Sequence, residues 1–177
     1  MQCWHTPNGN PGCCEPEVLL YENFDDGAAQ GWTLEPDQSP FGIGWTIGAP
    51  GHSDPNSLQG MSTSFFPGME SIATTPAVTM PAGQVTTLEF WYRGLSDQNQ
   101  CPEGALTVRA GIAVLFTDCQ LSSDWIHASV DLSGLAPAEV ALEFLPGTGM
   151  GMMPVLSYAI DDVIIETGCD PVPVPSS

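Results

Sequence analysis

Two adjacent carboxylates, Asp161 and Asp162, interrupt the apolar run Ser157-Tyr158-Ala159-Ile160-Asp161-Asp162-Val163-Ile164-Ile165 near the end of the 177-residue chain. The β-branched and aromatic residues of this run favour a strand, where successive side chains point to opposite faces. Regular alternation therefore puts one aspartate on the face of Ile160 and Ile164 and the other on the face of Val163 and Ile165. An unpaired carboxylate in an apolar layer is costly unless a cation or hydrogen bonds compensate. The chain offers few partners, since 21 acidic residues stand against two basic ones, Arg93 and Arg109. A hard divalent cation, Ca²⁺, is the economical answer, because it accepts about six to eight oxygens in a flexible geometry. Glu22, Asp25, Asp26 and Asp54 are the further candidate ligands, joined by one of Asp161 and Asp162. Carbonyls of the loop Gly51-His52-Ser53-Asp54-Pro55-Asn56-Ser57 can complete the shell. The metal-free alternative makes Asp25 and Asp26 turn residues and caps Asp161 and Asp162 with backbone N–H groups.

Six cysteines, Cys3, Cys13, Cys14, Cys101, Cys119 and Cys169, form an even set without a C-x-x-C pair. This pattern reads as disulfides of a secreted protein rather than as zinc or redox chemistry. Cys101 and Cys119 flank two strand candidates and are expected to staple a hairpin base. A bridge from Cys169 to Cys13 or Cys14 would tie the termini, with Cys3 taking the remaining thiol. Met150, Met152 and Met153 read as adaptable hydrophobic surface rather than a Cu(I) site. His5, His52 and His127 are too scattered for zinc and read as surface or hydrogen-bonded histidines. No G-x-S-x-G elbow, H-E-x-x-H or P-loop is present, so no catalysis is expected. Five tryptophans invite sugar stacking. Trp32, Trp45, Trp91 and Trp125, however, fall within or beside strand candidates, where core packing is the usual role.

The elements that must position these groups are short strands. Leu88, Phe90 and Tyr92 alternate with Glu89, Trp91 and Arg93; Ile126, Ala128, Val130 and Leu132 alternate with His127, Ser129 and Asp131. Leu106 and Val108, then Ile112, Val114 and Phe116, then Val140, Leu142 and Phe144 repeat the period of two. Val18 to Tyr21, Trp32 to Leu34 and Trp45 to Ile47 are shorter candidates closed by Gly, Pro and Asp. No helical stripe exceeds two turns. Evenly spaced strands with one buried face predict an all-β, two-sheet antiparallel sandwich over residues 18–169. Residues 1–17 read as an irregular cysteine-rich arm, and 170–177 as a Pro-rich linker or tail.

A formal charge of −19 excludes binding to nucleic-acid backbones and to anionic membrane surfaces. No apolar run approaches membrane-spanning length, which argues against direct membrane insertion. The residues after Met1 do not read as the apolar core of a secretion signal, so a secreted chain would have lost or exchanged its signal.

Several segments in order resemble the MAM domains and related bacterial extracellular jelly rolls, including carbohydrate-binding-module-like domains. These are Glu22-Asn23-Phe24-Asp25-Asp26 with Gly31-Trp32, then Trp45 with His52-Ser53-Asp54, then Leu88-Glu89-Phe90-Trp91-Tyr92 with Gly104 to Val108. Trp125 with Val130-Asp131-Leu132-Ser133, and finally Tyr158 to Val163 with Cys169, complete the series. The resemblance spans about Val18 to Cys169, whereas the Cys13-Cys14 pair and the Cys101/Cys119 spacing depart from the MAM pattern. It implies a jelly-roll sandwich whose first and last strands pair, extracellular or cell-surface placement, and a structural Ca²⁺ between the first-strand loop and the last strand. It also implies a non-catalytic adhesion or recognition role, with a surface glycan or protein as partner. A self-assembling subunit of an extracellular filament or surface layer, binding copies of itself, is the alternative.

Overall fold

Alternating apolar and polar residues, closed by Gly, Pro and Asp, fold as strands along most stretches that show that period; the alternations through Ile112 and Leu142 are interrupted by non-strand residues. The computed structural model describes residues 3–5, 11–13, 16–35, 44–53, 55–63, 71–95, 106–118, 122–146 and 155–168. For strand residues 3–5, 11–13, 61–63, 95 and 155–157 it describes the backbone alone. The strands are β1 (Cys3–His5), β2 (Pro11–Cys13), β3 (Glu17–Glu22), β4 (Thr33–Glu35), β5 (Gly44–Gly48), β6 (Ser57–Thr63), β7 (Ile72–Thr74), β8 (Val78–Thr79), β9 (Val85–Leu95), β10 (Leu106–Ala110), β11 (Ala113–Asp118), β12 (Ile126–Asp131), β13 (Glu139–Val140), β14 (Glu143–Leu145) and β15 (Val155–Gly168). A 3-10 turn occupies Ser133–Leu135.

Two antiparallel sheets carry the fold. One has five strands in the order β11-β10-β14-β7-β4; the other has the order β12-β9-β15-β6-β5, with β3 also paired to β15. Leu88, Phe90 and Tyr92 of β9 and Ile160, Val163 and Ile165 of β15 pack into one core with Leu106, Val108, Phe144 and Ala73 of the facing sheet. Phe90 meets Phe116 and Phe144 edge-on at 5.4 and 5.5 Å between ring centroids, the arrangement that ring quadrupoles favour. The expected all-β jelly-roll sandwich is therefore the observed architecture. Trp32 and Trp45 lie in the core, as expected of them. Trp45 packs so closely on β6 that a Cβ at Gly60 would fall 2.6 Å from its ring, so only glycine fits there.

The long strand β15 organises the second sheet. One of its edges pairs with β9 almost throughout. Its other edge pairs with β6 over Val155–Ile160 and with β3 over Val163–Thr167. The first strand of the sandwich thus pairs with the last, as the resemblance implied. Asp161 and Asp162 occupy the point where the partner changes. The register against β9 slips between Asp161 and Ile164, and Asp162 adopts a left-handed φ of 48°. This bulge adds a residue to β15, so Ile160, Val163 and Ile165 all face the core. Strict alternation, which sent one aspartate to an apolar face, fails here for that reason.

Two other expectations change. Ile112 sits in the β10–β11 turn and Val114 on the outer side of β11, both exposed, so only Phe116 of that trio packs against the core. Within the stretch read as an irregular arm, β1 and β2 pair antiparallel with Cys3 opposite Cys13 along the backbone. The cysteine side chains, Asp54, Met150, Met152, Met153 and the 170–177 tail lie outside the described residues.

Phe90 is fully buried between the sheets. Phe90→Ala is expected to lower unfolding free energy by about 3–5 kcal/mol, measured as a fall in denaturant midpoint at unchanged slope.

Candidate functional site

Loop residues 49–53 fold over the outer face of the second sheet, and the β15 bulge holds them there. Asp161 lies opposite Trp91 in the ladder and is completely buried. Its Oδ2 accepts the backbone N–H of His52 at 2.5 Å and that of Ser53 at 3.4 Å, while Oδ1 accepts the N–H of Asp162 at 2.8 Å. Asp162 takes the side chains of the same two loop residues: His52 Nδ1 lies 2.7 Å from Oδ2, and Ser53 Oγ donates to Oδ1 at 2.9 Å. An ionised carboxylate only accepts, so Nδ1 of His52 carries the proton of that bond.

Gly51 makes the close approach possible, because a Cβ there would lie 2.3 Å from the Asn56 carbonyl oxygen and 2.9 Å from Asp161 Oδ2. The entry to the loop is held by Ser57 Oγ donating to the Pro50 carbonyl at 3.0 Å. Gln59 Nε2 also donates to the Gly48 and Ala49 carbonyls at 2.9 and 3.0 Å.

The other expected ligands surround the end of β3. Glu22 accepts the N–H of Phe24 at 2.9 Å and of Gln30 at 3.2 Å, which closes the turn after the strand. Asp26 behaves as a turn residue, accepting from Ala28 N–H and Gln30 Nε2; those bonds hold its carboxyl below the ordinary range. Asp25 differs. Its Oδ2 accepts Asn23 Nδ2 at 2.6 Å, but its Oδ1 is buried with no hydrogen-bond partner, and its carbonyl accepts Asn56 Nδ2 at 3.3 Å.

Burial, then the charges of Asp162, Asp25 and Asp161, push the Tyr21 hydroxyl up. Burial also raises the Asp161 pKa despite its three amide partners. Of the expected set, Asp161 and Asp162 meet at the bulge and Asp25 reaches the same loop through its carbonyl bond to Asn56, while Glu22 and Asp26 serve the β3 turn. Among the described residues no three His, Cys, Asp or Glu side chains converge into a metal cage. The buried, unpartnered oxygen of Asp25 suits a hard cation, with backbone carbonyls as the remaining donors.

Above this brace lies an aromatic row that includes Trp91 and Trp125, both expected to pack in the core, and His52 and His127, expected at the surface or in hydrogen bonds. Trp91 and Arg93 project outward from β9, and His127 from the neighbouring position on β12. The His52 imidazole stacks on the Trp91 indole with ring centroids 4.0 Å apart and planes 13° apart. It meets Trp125 edge-on at 5.6 Å, and His127 tilts against Trp91 at 5.0 Å. The Arg93 guanidinium lies 4.7 Å from the Trp125 ring centroid, and its Nη2 donates to the Pro50 carbonyl at 3.3 Å. Glu89 sits 3.6 Å from His127 Nε2. The outward alternation of Glu89, Trp91 and Arg93 was legible in the sequence, but nothing local signalled that the distant His52 and Trp125 would join them.

No family model matches the chain, and no curated protein matches it significantly. Solved structures do. The K3 adhesin domain of Lys-gingipain from Porphyromonas gingivalis is 20% identical, with a TM-score of 0.58 over 86% of this chain and 99% of that one. The CBM22-1 xylan-binding domain of Xyn10C from Paenibacillus barcinonensis is 17% identical, with a TM-score of 0.59 over 90% and 99%. A Stig cyclase from Fischerella sp. TAU is 11% identical, with a TM-score of 0.58 over 88% and 99%. At these identities the likeness shows the fold, which carries binding modules and an enzyme alike.

The raised pKa of Asp161 has a defined consequence. The folded state holds that proton more tightly than the unfolded state, so ionisation penalises folding above the folded pKa, and the penalty disappears as pH falls to 3.8. In chelator-containing buffer, thermal melts between about pH 7 and about pH 4 should therefore gain more midpoint on acidification for wild type than for Asp161→Asn. Parallel profiles would contradict this reading.

Proposed function

We propose that this chain is a non-catalytic extracellular recognition module that binds carbohydrate on the outer face of its second sheet and carries a structural Ca²⁺ beneath the binding loop. The observation that carries the reading is the row His127, Trp91, His52, Trp125 and Arg93. Half-buried aromatic rings flanked by imidazole and guanidinium donors suit the apolar faces and hydroxyl edges of sugar rings. The xylan-binding domain among the structural neighbours lends the reading support, as does the adhesin domain. The ion would draw on Asp25 Oδ1, Asp161 and loop carbonyls, offsetting the burial that raises the Asp161 pKa. Asp54 remains a candidate ligand, and disulfides among the six cysteines fit the same extracellular setting.

One observation favours the second reading, a self-assembling surface subunit. The β11 edge strand exposes Val114, with Ile112 exposed in the adjoining turn, and an edge of this kind can accept a strand from a neighbour. A concentration-independent monomer in size-exclusion chromatography would count against it.

Affinity electrophoresis through gels containing xylan or other neutral polysaccharides should retard the wild-type chain. Trp125→Ala should weaken that retention by about tenfold or more while leaving the fold intact. Retention unchanged by Trp125→Ala would contradict the assigned face.

For the ion, Ca²⁺ at a hundredfold over its dissociation constant adds about 2.7 kcal/mol, or about 5–10 °C in melting midpoint for a domain of this size. Identical midpoints with Ca²⁺ and with chelator would remove the metal from the proposal.

A further inference from the structure

In a chain with 21 acidic residues and two arginines, a guanidinium without a carboxylate partner needs a reason. Arg109 is paired with Glu143. Arg93 makes no ion pair among the described residues, although it lies on the same outer face as the loop-bracing aspartates. Those carboxylates are engaged elsewhere: Asp161 by the amides of His52, Ser53 and Asp162, and Asp162 by the side chains of His52 and Ser53. Glu89 faces His127. Among the described residues the nearby acids are thus satisfied by other donors, and Arg93 is left to a different acceptor.

We infer that Arg93 reads a carboxylate on the bound carbohydrate, so that the aromatic row selects a largely neutral polysaccharide carrying uronic acid substituents. The inference rests on the carbohydrate reading above and adds the class of sugar. Stacking on Trp125 and the bond to the Pro50 carbonyl fix the guanidinium plane, and its exposed edge is the Nη pair. A planar fork held in this way matches a carboxylate bidentately, and little side-chain freedom remains to be lost when the ligand binds. The net charge of −19 limits the ligand in the other direction. A polyuronate would meet the repulsion of the whole surface, whereas an isolated acid on a neutral backbone meets chiefly the local cation. Sugar rings next to the acid would lie along Trp125, His52 and Trp91.

The test is isothermal titration of the full chain with xylohexaose and with a xylo-oligosaccharide of the same length bearing one glucuronic acid. The expected result is about tenfold tighter binding of the acidic oligosaccharide by wild type. That preference should shrink as salt rises from about 0.05 to about 0.5 M, a readout that needs no mutation. Arg93→Gln should bring the two ligands to parity, and Arg93→Lys should restore part of the difference, with circular dichroism melts confirming that both variants fold. Equal wild-type affinities, or a preference that neither salt nor Arg93→Gln reduces, would overturn the inference and leave the carbohydrate reading standing. Binding of neither oligosaccharide would count against that reading and remove the inference with it. Tighter binding of a peptide with a free α-carboxylate than of either sugar would also overturn the inference.

Discussion

The structure turns on a buried carboxylate that fastens a loop to a sheet. Asp161 lies where β15 leaves β6 and takes up β3, and its oxygens accept backbone N–H groups of His52 and Ser53 from more than a hundred residues away. That bond ties the loop backbone to the sheet, while Asp162 holds the His52 and Ser53 side chains and so sets the imidazole on Trp91. The bulge makes the contact possible. By adding one residue to β15 it keeps Ile160 and Val163 in the core while turning both aspartates toward the loop. The left-handed backbone of Asp162 is costly for a non-glycine residue, and the paired contacts to His52 and Ser53 offset that cost.

Most of the architecture was legible because two-residue periodicity records directly which face of a strand meets the core. The faces of β9 and β12 follow from the residues themselves, down to the outward placement of Glu89, Arg93 and His127, whereas Trp91 was expected to pack in the core and lies outside it. Periodicity misleads where the backbone departs from it, because a single added residue inverts every later inference along the strand. At Asp161-Asp162 the sequence displayed the energetic problem but not the bulge that resolves it. At Ile112 and Val114 an apolar alternation ran through a turn and along the outer side of an edge strand, so period alone overstated burial.

The candidate site was legible in part. The meeting of the β3 end, the Gly51–Asn56 loop and the closing strand follows from pairing the first and last strands of a jelly roll. The division of labour among the carboxylates does not follow, since it depends on which amides lie within reach. Glu22 and Asp26 close the turn after β3, whereas Asp25 keeps a buried oxygen without a partner. Tryptophan gives a related lesson. Trp32 and Trp45 fill the core, but Trp91 and Trp125 lie on the outer face, held by contacts with His52 and Arg93 that no local pattern announces. The same loop that satisfies the buried acid builds that outer face, so local stability and recognition share one set of bonds.

Amide hydrogen exchange at His52 and Ser53 tests this account most directly. The Asp161 anchor predicts that these two loop amides exchange as slowly as those of the surrounding strands and lose that protection in Asp161→Ala. Exchange of both amides at the rate of an unprotected loop in the wild-type chain would contradict it.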